Sequence, residues 1–143
     1  METKKGTGNF IKDLELGHLA EDYVDNYLTE YKGCTVKKNP KKDYKGLCEC
    51  DLIITFPTGN TYLVEVKEDF MYPTTGNVAV EEKCMKHSEA HIVMYRLGDE
   101  IYGIWRKKLI TEMVKHRKTY NDKGNVLYLI PYTIFTEINK KIK

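Results

Sequence analysis

Three charged residues near the middle of the chain, Asp51, Glu65 and Lys67, have side chains that could act together on a cation and a phosphate. The stretches around them are rich in β-branched and aromatic residues, which predicts two strands, and residues 57–60 have the composition of a hairpin turn. Because side chains alternate between the two faces of a strand, Glu65 and Lys67 share one face of the strand at 61–67. Pairing of the two strands would bring Asp51 to the same face.

Two carboxylates and an ammonium at positions where a sheet usually carries valine are unfavourable unless a cation lies between the carboxylates. Mg²⁺ fits this role, since it binds one or two carboxylates, waters and a substrate phosphate. It lowers the pKa of bound water and stabilises negative charge that develops on phosphorus. The carboxylates favour protonated Lys67, so we assign Lys67 to orienting the attacking water and stabilising the transition state. The alternative is that Asp51 and Glu65 are polar residues on the wet face of an antiparallel sheet.

Glu21 is the next candidate, because it lies in the apolar stripe of an amphipathic helix predicted at residues 10–32. A carboxylate on the buried side of a helix is costly unless it is paired or bound to metal. Gly17, four residues earlier, leaves room beside it, and Gly33 is suited to end the helix. The alternative is a glutamate at the edge of the stripe whose side chain reaches water.

The remaining pattern predicts one α/β domain that covers residues 1–143, with 1–9 as a flexible N-terminal segment. Residues 77–83 are ambiguous between strand and helical turn, and residues 83–89 are expected to be helical. Trp105 is expected in the core, and Tyr31 and Val114 on buried helix faces. The predicted strands are 47–56, 61–67, 91–97, 100–105 and 126–130, and further helices are predicted at 106–118 and 131–142.

Composition and charge place limits on the partners of the chain. No apolar run approaches the roughly 20 residues of a membrane span, and the polar N-terminus lacks a secretory signal, so we expect no membrane partner and a cytoplasmic location. The four cysteines are interpreted as reduced thiols rather than a metal site. The net charge is only +2, but two basic groups could neutralise phosphates, one at residues 106–118 and one formed by Lys37, Lys38, Lys41, Lys42 and Lys45. A solvated loop and a solvated helix face explain these charges equally well.

The order of these candidates, Glu21 on a first helix, then Asp51, then Glu65-Val66-Lys67, resembles the PD-(D/E)xK nuclease superfamily. The wider stretch at 15–105 is similar to small phage-type and Holliday-junction-resolvase-like members. The matching segments are 17–21, 50–52, 65–67, Thr75-Gly76-Asn77 with Glu81, and Ser88 with Ala90. Cys50 stands where the name of the motif has proline.

The resemblance implies a restriction-endonuclease-like core, with a mixed central β-sheet flanked by helices, and a Mg²⁺-dependent DNA endonuclease in which Mn²⁺ can replace Mg²⁺. It implies that Asp51, Glu65, the Val66 carbonyl and Glu21 hold the metal and that Lys67 is catalytic, with Asn77 and Glu81 as weaker candidates. DNA is the implied partner, branched DNA such as a Holliday junction is one substrate class, and a homodimer and a phage or viral origin stay open. A restriction- or repair-type nuclease and a non-catalytic DNA-binding module are the alternatives.

Overall fold

The computed structural model describes residues 10–39, 50–69, 75–121 and 123–138. The predicted flexible segment at 1–9 and the lysines at 41, 42 and 45 lie outside these residues. The elements along the chain are α1 (Phe10–Tyr31), β1 (Thr35–Lys38), β2 (Leu52–Thr55), β3 (Thr61–Glu68), β4 (Asn77–Glu81), α2 (Glu82–His87), β5 (Ile92–Leu97), β6 (Glu100–Trp105), α3 (Arg106–Met113), β7 (Arg117–Tyr120), β8 (Val126–Pro131), a 3-10 helix (Tyr132–Ile134) and β9 (Thr136–Glu137).

Strand β3 lies inside a mixed sheet, as predicted. In the described part of the chain this sheet has six strands in the order β1-β2-β3-β5-β6-β9. β2 and β3 form an antiparallel hairpin, β3 and β5 run parallel, and β5 and β6 form a second hairpin. The crossover from β3 to β5 contains β4 and α2, because parallel neighbours need a long connection. A second sheet, β4-β8-β7, was not predicted.

Apolar residues cover both faces of the mixed sheet, which explains why β3 is buried on either side. On one face α1 packs through Ala20, Val24 and Leu28 onto a cluster that includes Val64 and Val66. The other face packs against the second sheet and α3 in a cluster that includes Val78, Val80, Val93, Tyr95, Leu109, Met113 and Ile130. Side chains with the parity of Glu65 point to this second face. In the described residues, no helix is both long and apolar enough to cross a membrane.

The predicted amphipathic helix is confirmed and ends as expected. Gly33 follows the last turn of α1 with a φ of +67°, and the backbone N–H of Cys34 donates to the carbonyl of Leu28 at 3.1 Å. Glycine adopts this left-handed conformation at no steric cost. Tyr31 is 72% exposed, so its placement on the buried face was wrong. Cys34 and Cys50 are buried free thiols.

Two C-terminal predictions were wrong. The helix predicted at 106–118 ends at Met113, Val114 is 78% exposed, and Arg117 already begins β7. Pro131, predicted to start a closing helix at 131–142, is the last residue of β8 and is followed by the 3-10 helix and β9. The short strand β9 pairs with Tyr102 and Gly103 of β6. This pairing is a tertiary contact, and no local periodicity predicts it.

The surroundings of three further residues also differ from expectation. Lys37 and Lys38 belong to strand β1, where they pair with Ile53 and Leu52, rather than to a loop. Trp105 is 53% exposed, so the prediction of a core tryptophan was wrong. It is the last residue of β6, and its ring meets Tyr62 edge-on at a centroid distance of 5.5 Å. The ring therefore lies at the margin of the sheet.

Candidate active site

The β2–β3 hairpin brings Asp51 and Glu65 together, as the alternation of side chains predicted. Leu52 pairs with Val64, so extension of this register by one residue places Asp51, which directly precedes β2, opposite Glu65. Both carboxylates are buried, with exposures of 7% for Asp51 and 3% for Glu65. The alternative of a wet outer face is thereby excluded, because acidic residues are rarely this buried without partners.

The carboxylate of Asp51 is fixed against the backbone of β3. Its Oδ2 accepts a hydrogen bond from the backbone N–H of Val66 at 2.8 Å, and its own N–H donates to the carbonyl of Val64 at 2.8 Å. The Asp51 carboxylate thus accepts the hydrogen bond that a main-chain carbonyl would accept if β2 and β3 continued to pair at this point. Asp51 and Val66, two of the predicted metal ligands, are in direct contact.

Asn39, which the sequence did not single out, holds the other side of this segment. Its backbone N–H donates to the carbonyl of Asp51 at 3.0 Å, and its Nδ2 donates to the carbonyl of Cys50 at 2.9 Å. The same amide lies 3.3 Å from the Sγ of Cys50. These contacts hold the chain at the end of β1 against the residue that precedes Asp51. The only signal in the sequence was an asparagine before Pro40.

Glu65 is bonded through both of its carboxylate oxygens. Oε1 accepts a hydrogen bond from the Oγ of Ser88 at 2.8 Å, and Oε2 lies 3.2 Å from the Nζ of Lys67. Ser88 is itself 6% exposed, whereas the side chain of Lys67 is about one-third exposed at 32%. The shared face predicted for Glu65 and Lys67 is therefore confirmed as a direct ion pair. The ammonium group reaches from the buried carboxylate toward solvent.

The electrostatics of the site oppose a charged Glu65. Burial raises the pKa of Glu65, and the negative charge of Asp51 raises it further, while Lys67 and the Ser88 hydrogen bond lower it. Burial is the largest of these effects, so the net direction is upward. Burial likewise raises the pKa of the neighbouring Cys50 thiol, with Asp51 and Glu65 adding to the increase. Extra negative charge is unfavourable here, and a cation would relieve it.

Glu21 is buried in α1, as the stripe predicted, with an exposure of 7%. The helix packs against β3, on the face that carries Val64 and Val66. Glu65 has the opposite parity on that strand. Across the residues that the structure describes, no group of three or more His, Cys, Asp or Glu side chains is gathered to hold a metal ion. The participation of Glu21 therefore stays a prediction.

The basic residues Lys37 and Lys38 are exposed on β1. Lys38 pairs in register with Leu52, the residue after Asp51, so the end of β1 lies beside the carboxylate pair. The Nζ of Lys38 forms an ion pair with Asp22 of α1, and this hydrogen bond raises the pKa of Lys38. The charge of Glu21 contributes to the same increase. The described part of the lysine group therefore borders the site.

Asn77 and Glu81, the weaker candidates, lie at the two ends of β4 in the smaller sheet. The N–H of Ala79, the middle residue of β4, donates to Oδ2 of Asp69, the residue that follows β3, at 2.8 Å. The hydroxyl of Tyr95 reaches the carbonyl of Ala79 at 3.4 Å. Burial raises the pKa of Tyr95, and the charges of three carboxylates, Asp69, Glu65 and Glu81, act on it in the same direction. The charges of Glu81 and Glu65 therefore both act on the hydroxyl of Tyr95.

No protein-family model and no curated protein sequence matches the chain. Solved structures do match. A bacterial homing endonuclease superimposes with a TM-score of 0.52 at 18% identity, covering 89% of this chain and 77% of that one. Hjc, a Holliday junction resolvase from the archaeal hyperthermophile Archaeoglobus fulgidus, gives a TM-score of 0.54 at 10% identity, covering 84% and 94%. A nuclease from a fusselovirus gives 0.46 at 15% identity, covering 96% and 89%. The first two show that the chain has the predicted restriction-endonuclease-like fold.

Proposed function

We propose that this chain, with its restriction-endonuclease-like fold, is a Mg²⁺-dependent DNA endonuclease whose active site is formed by Asp51, Glu65 and Lys67. The observation that carries the proposal is the buried carboxylate pair, with Asp51 opposite Glu65 and Lys67 bound to Glu65 at 3.2 Å. A fold alone does not fix a function. Buried charged residues that lie close together, such as Asp51 and Glu65, are however typical of functional sites.

The donor set of the site fits a hard divalent cation. Asp51 and Glu65 would supply carboxylate oxygens, and the carbonyl of Val66 is the main-chain ligand that we propose beside them. Mg²⁺ prefers oxygen ligands of this kind and keeps several waters. Burial and Asp51 both raise the pKa of Glu65, so a bound cation would offset a cost that the protein otherwise bears. When bound, Mg²⁺ supplies positive charge that lowers the pKa of a water and stabilises charge on a phosphate.

Lys67 completes the site from the side that faces solvent. Its Nζ is anchored by Oε2 of Glu65, and its side chain is about one-third exposed at 32%. The anchored ammonium can therefore meet a phosphate oxygen or a water without leaving its partner. Fixed charges that need no rearrangement during the reaction contribute strongly to transition-state stabilisation. Lys67 acts as such a charge.

DNA is the substrate that the surrounding charge favours. Exposed Lys37 and Lys38 lie on β1, and Lys38 is paired with the residue next to Asp51. Exposed lysines on a strand next to the cleaved phosphodiester can neutralise phosphates that flank it. Two of the structurally similar proteins are a homing endonuclease and a Holliday junction resolvase, so four-way junctions are included among the substrates to be tested.

Cleavage of labelled linear duplex, single-stranded, flapped and four-way DNA, with Mg²⁺ or EDTA, tests the proposal. We expect Mg²⁺-dependent cleavage by the wild type and none by Asp51→Asn. Asp99→Asn is the matched control, because Asp99 lies in the exposed turn between β5 and β6. Cleavage by Asp51→Asn at the wild-type rate would refute the assignment of the site. DNA binding without cleavage under every condition would favour a non-catalytic module.

A further inference from the structure

Arg106 lies in the basic group at 106–118, but the structure turns its hydrogen-bond donors toward the protein. Its Nε donates to the carbonyl of Ala90 at 2.7 Å, and its Nη1 donates to the carbonyl of Met85 at 3.1 Å. Its backbone N–H donates to the carbonyl of His91 at 2.9 Å. One residue at the start of α3 therefore fastens both ends of the segment at 85–91. Lys107 and Lys108, the next two residues, are exposed.

Ser88 lies inside the segment that Arg106 fastens. Its Oγ accepts a hydrogen bond from the N–H of Ala90 at 3.0 Å and donates one to Oε1 of Glu65 at 2.8 Å. The hydroxyl hydrogen is thus committed to the carboxylate, because the backbone N–H occupies the acceptor side of the same oxygen. Ser88 and Glu65 are both buried, at 6% and 3% exposure. Residues 88–91 contain no helix or strand; the side chains of Arg106 and Ser88 hold this part of the chain together with main-chain hydrogen bonds of His91.

We propose that Arg106 is a positioning residue of the active site, which holds the segment at 85–91 so that Ser88 fixes the carboxylate of Glu65 in its metal-binding orientation. The inference rests on the proposed function, since the orientation of Glu65 matters because Glu65 binds metal. Arginine suits this role, because its planar fork presents several donors in fixed directions and can bridge two carbonyls, whereas lysine is a point charge. Residues that orient metal ligands typically change metal affinity or activity by about 10- to 100-fold when they are replaced.

The variants Arg106→Gln, Ser88→Ala and Ser88→Thr, with Lys107→Gln as the charge-matched control, test the inference by three measurements. These are Mn²⁺ binding by calorimetry, DNA affinity in EDTA over a range of salt, and cleavage. Mn²⁺ serves as the probe because it occupies oxygen-ligand Mg²⁺ sites. We expect Arg106→Gln and Ser88→Ala to weaken Mn²⁺ binding by about 10- to 100-fold and to leave DNA affinity in EDTA unchanged. Ser88→Thr, which keeps the hydroxyl, and Lys107→Gln should bind Mn²⁺ as the wild type does.

The opposite pattern would overturn the inference. If Arg106→Gln bound Mn²⁺ normally but lost DNA affinity and salt dependence, Arg106 would be a phosphate contact. If Arg106→Gln did not fold, Ser88→Ala would decide by the same metal measurement, and normal Mn²⁺ binding by it would overturn the inference. Crystal structures of the wild type and Arg106→Gln separate this question from the proposed function. A wild type that neither binds Mn²⁺ nor cleaves DNA would end the proposed function, while an unchanged Ser88–Glu65 contact in Arg106→Gln would end the positioning role.

Discussion

Replacement of Glu65 by glutamine should stabilise the metal-free protein and destabilise it relative to wild type when Mg²⁺ is present. Glutamine has nearly the same size, and its amide oxygen can still accept the hydrogen bond from Ser88 that Oε1 accepts at 2.8 Å. The substitution removes a charge that is 3% exposed and whose pKa burial raises. It also removes the ion pair with Lys67. The sign of the change in stability depends on whether removal of the buried charge or loss of the ion pair has the larger effect.

The magnitudes favour net stabilisation in EDTA. Each unit by which folding raises a pKa corresponds to about 1.4 kcal/mol of stability lost by the charged form. The ion pair of Glu65 involves a lysine about one-third exposed at 32%, and pairs with that much solvent contact contribute only about 0–1 kcal/mol. The pKa of Glu65 is raised even with Lys67 beside it, so the burial of the charge outweighs the ion pair and its removal is net stabilising. For a chain of this size, 1 kcal/mol changes Tm by about 2–4 °C.

The stability difference between Glu65→Gln and the wild type should also depend on pH. Because burial raises the pKa of Glu65 above its unfolded value, the wild type loses stability relative to the variant as pH rises through the folded pKa. Below the unfolded pKa the carboxyl is protonated in both states, and the advantage of Glu65→Gln should disappear. The difference between the two proteins should therefore grow from acidic to neutral pH and then become constant.

Thermal unfolding in EDTA from about pH 4 to pH 8, followed by a Mg²⁺ titration at neutral pH, measures both signs. At a Mg²⁺ concentration of 100 times Kd, the wild type should gain about 2.7 kcal/mol, and Glu65→Gln should gain much less. Glu30→Gln on the exposed side of α1 is the matched control. The reasoning would be refuted if Glu65→Gln were less stable than the wild type in EDTA at neutral pH, or if the stability difference between them did not change with pH. Glu65 would then be a structural residue.

Three further outcomes are expected. Lys67→Ala should lower kcat far more than DNA affinity, because the loss of a group that acts on the transition state appears in the rate. Single-turnover kinetics measures the rate, and binding in EDTA measures the affinity. Normal turnover by this variant would exclude a catalytic role for Lys67. Glu21→Gln should lose most cleavage activity, and a fully active variant, with Mn²⁺ near Asp51 and Glu21 pointing away in a soaked crystal, would exclude it from the site. Neutral replacements of Lys37 and Lys38 should weaken DNA binding and flatten its salt dependence by roughly 0.9 in log-log slope per lost phosphate contact, measured in EDTA; an unchanged slope would contradict their role.

The sequence was most informative about the candidate site residues in and directly beside the β2–β3 hairpin. Alternation along β3 and the hairpin turn were enough to place Asp51 and Glu65 together, because register fixes which side chains share a face. The apolar stripe of α1 likewise predicted the burial of Glu21. Both patterns are local, with a period of two or of about 3.6 residues. The fold, and the placement of the candidate residues Asp51 and Glu65 side by side, followed from these local patterns and from the resemblance.

Contacts between distant parts of the chain could not be predicted in the same way. The sequence around Arg106 predicts a surface residue in a basic helix, yet its guanidinium group donates hydrogen bonds to the carbonyls of Met85 and Ala90. Pro131 suits the first turn of a helix, but its segment ends a strand that pairs with β4. The smaller sheet exists because residues 77–81 and 126–131 meet in space. A periodic pattern identifies an element but not the partner it will find.

The position of β1 has a consequence for solubility. In the described part of the chain, β1 is the outermost strand on its side of the six-stranded sheet, and an outer strand offers unpaired main-chain groups to other molecules. This strand is only four residues long and ends in the exposed Lys37 and Lys38. Short length and lysine side chains are two ways in which proteins prevent edge-to-edge association. The same two ammonium groups would thus keep neighbouring copies apart, and neutral variants should self-associate at lower concentration than the wild type.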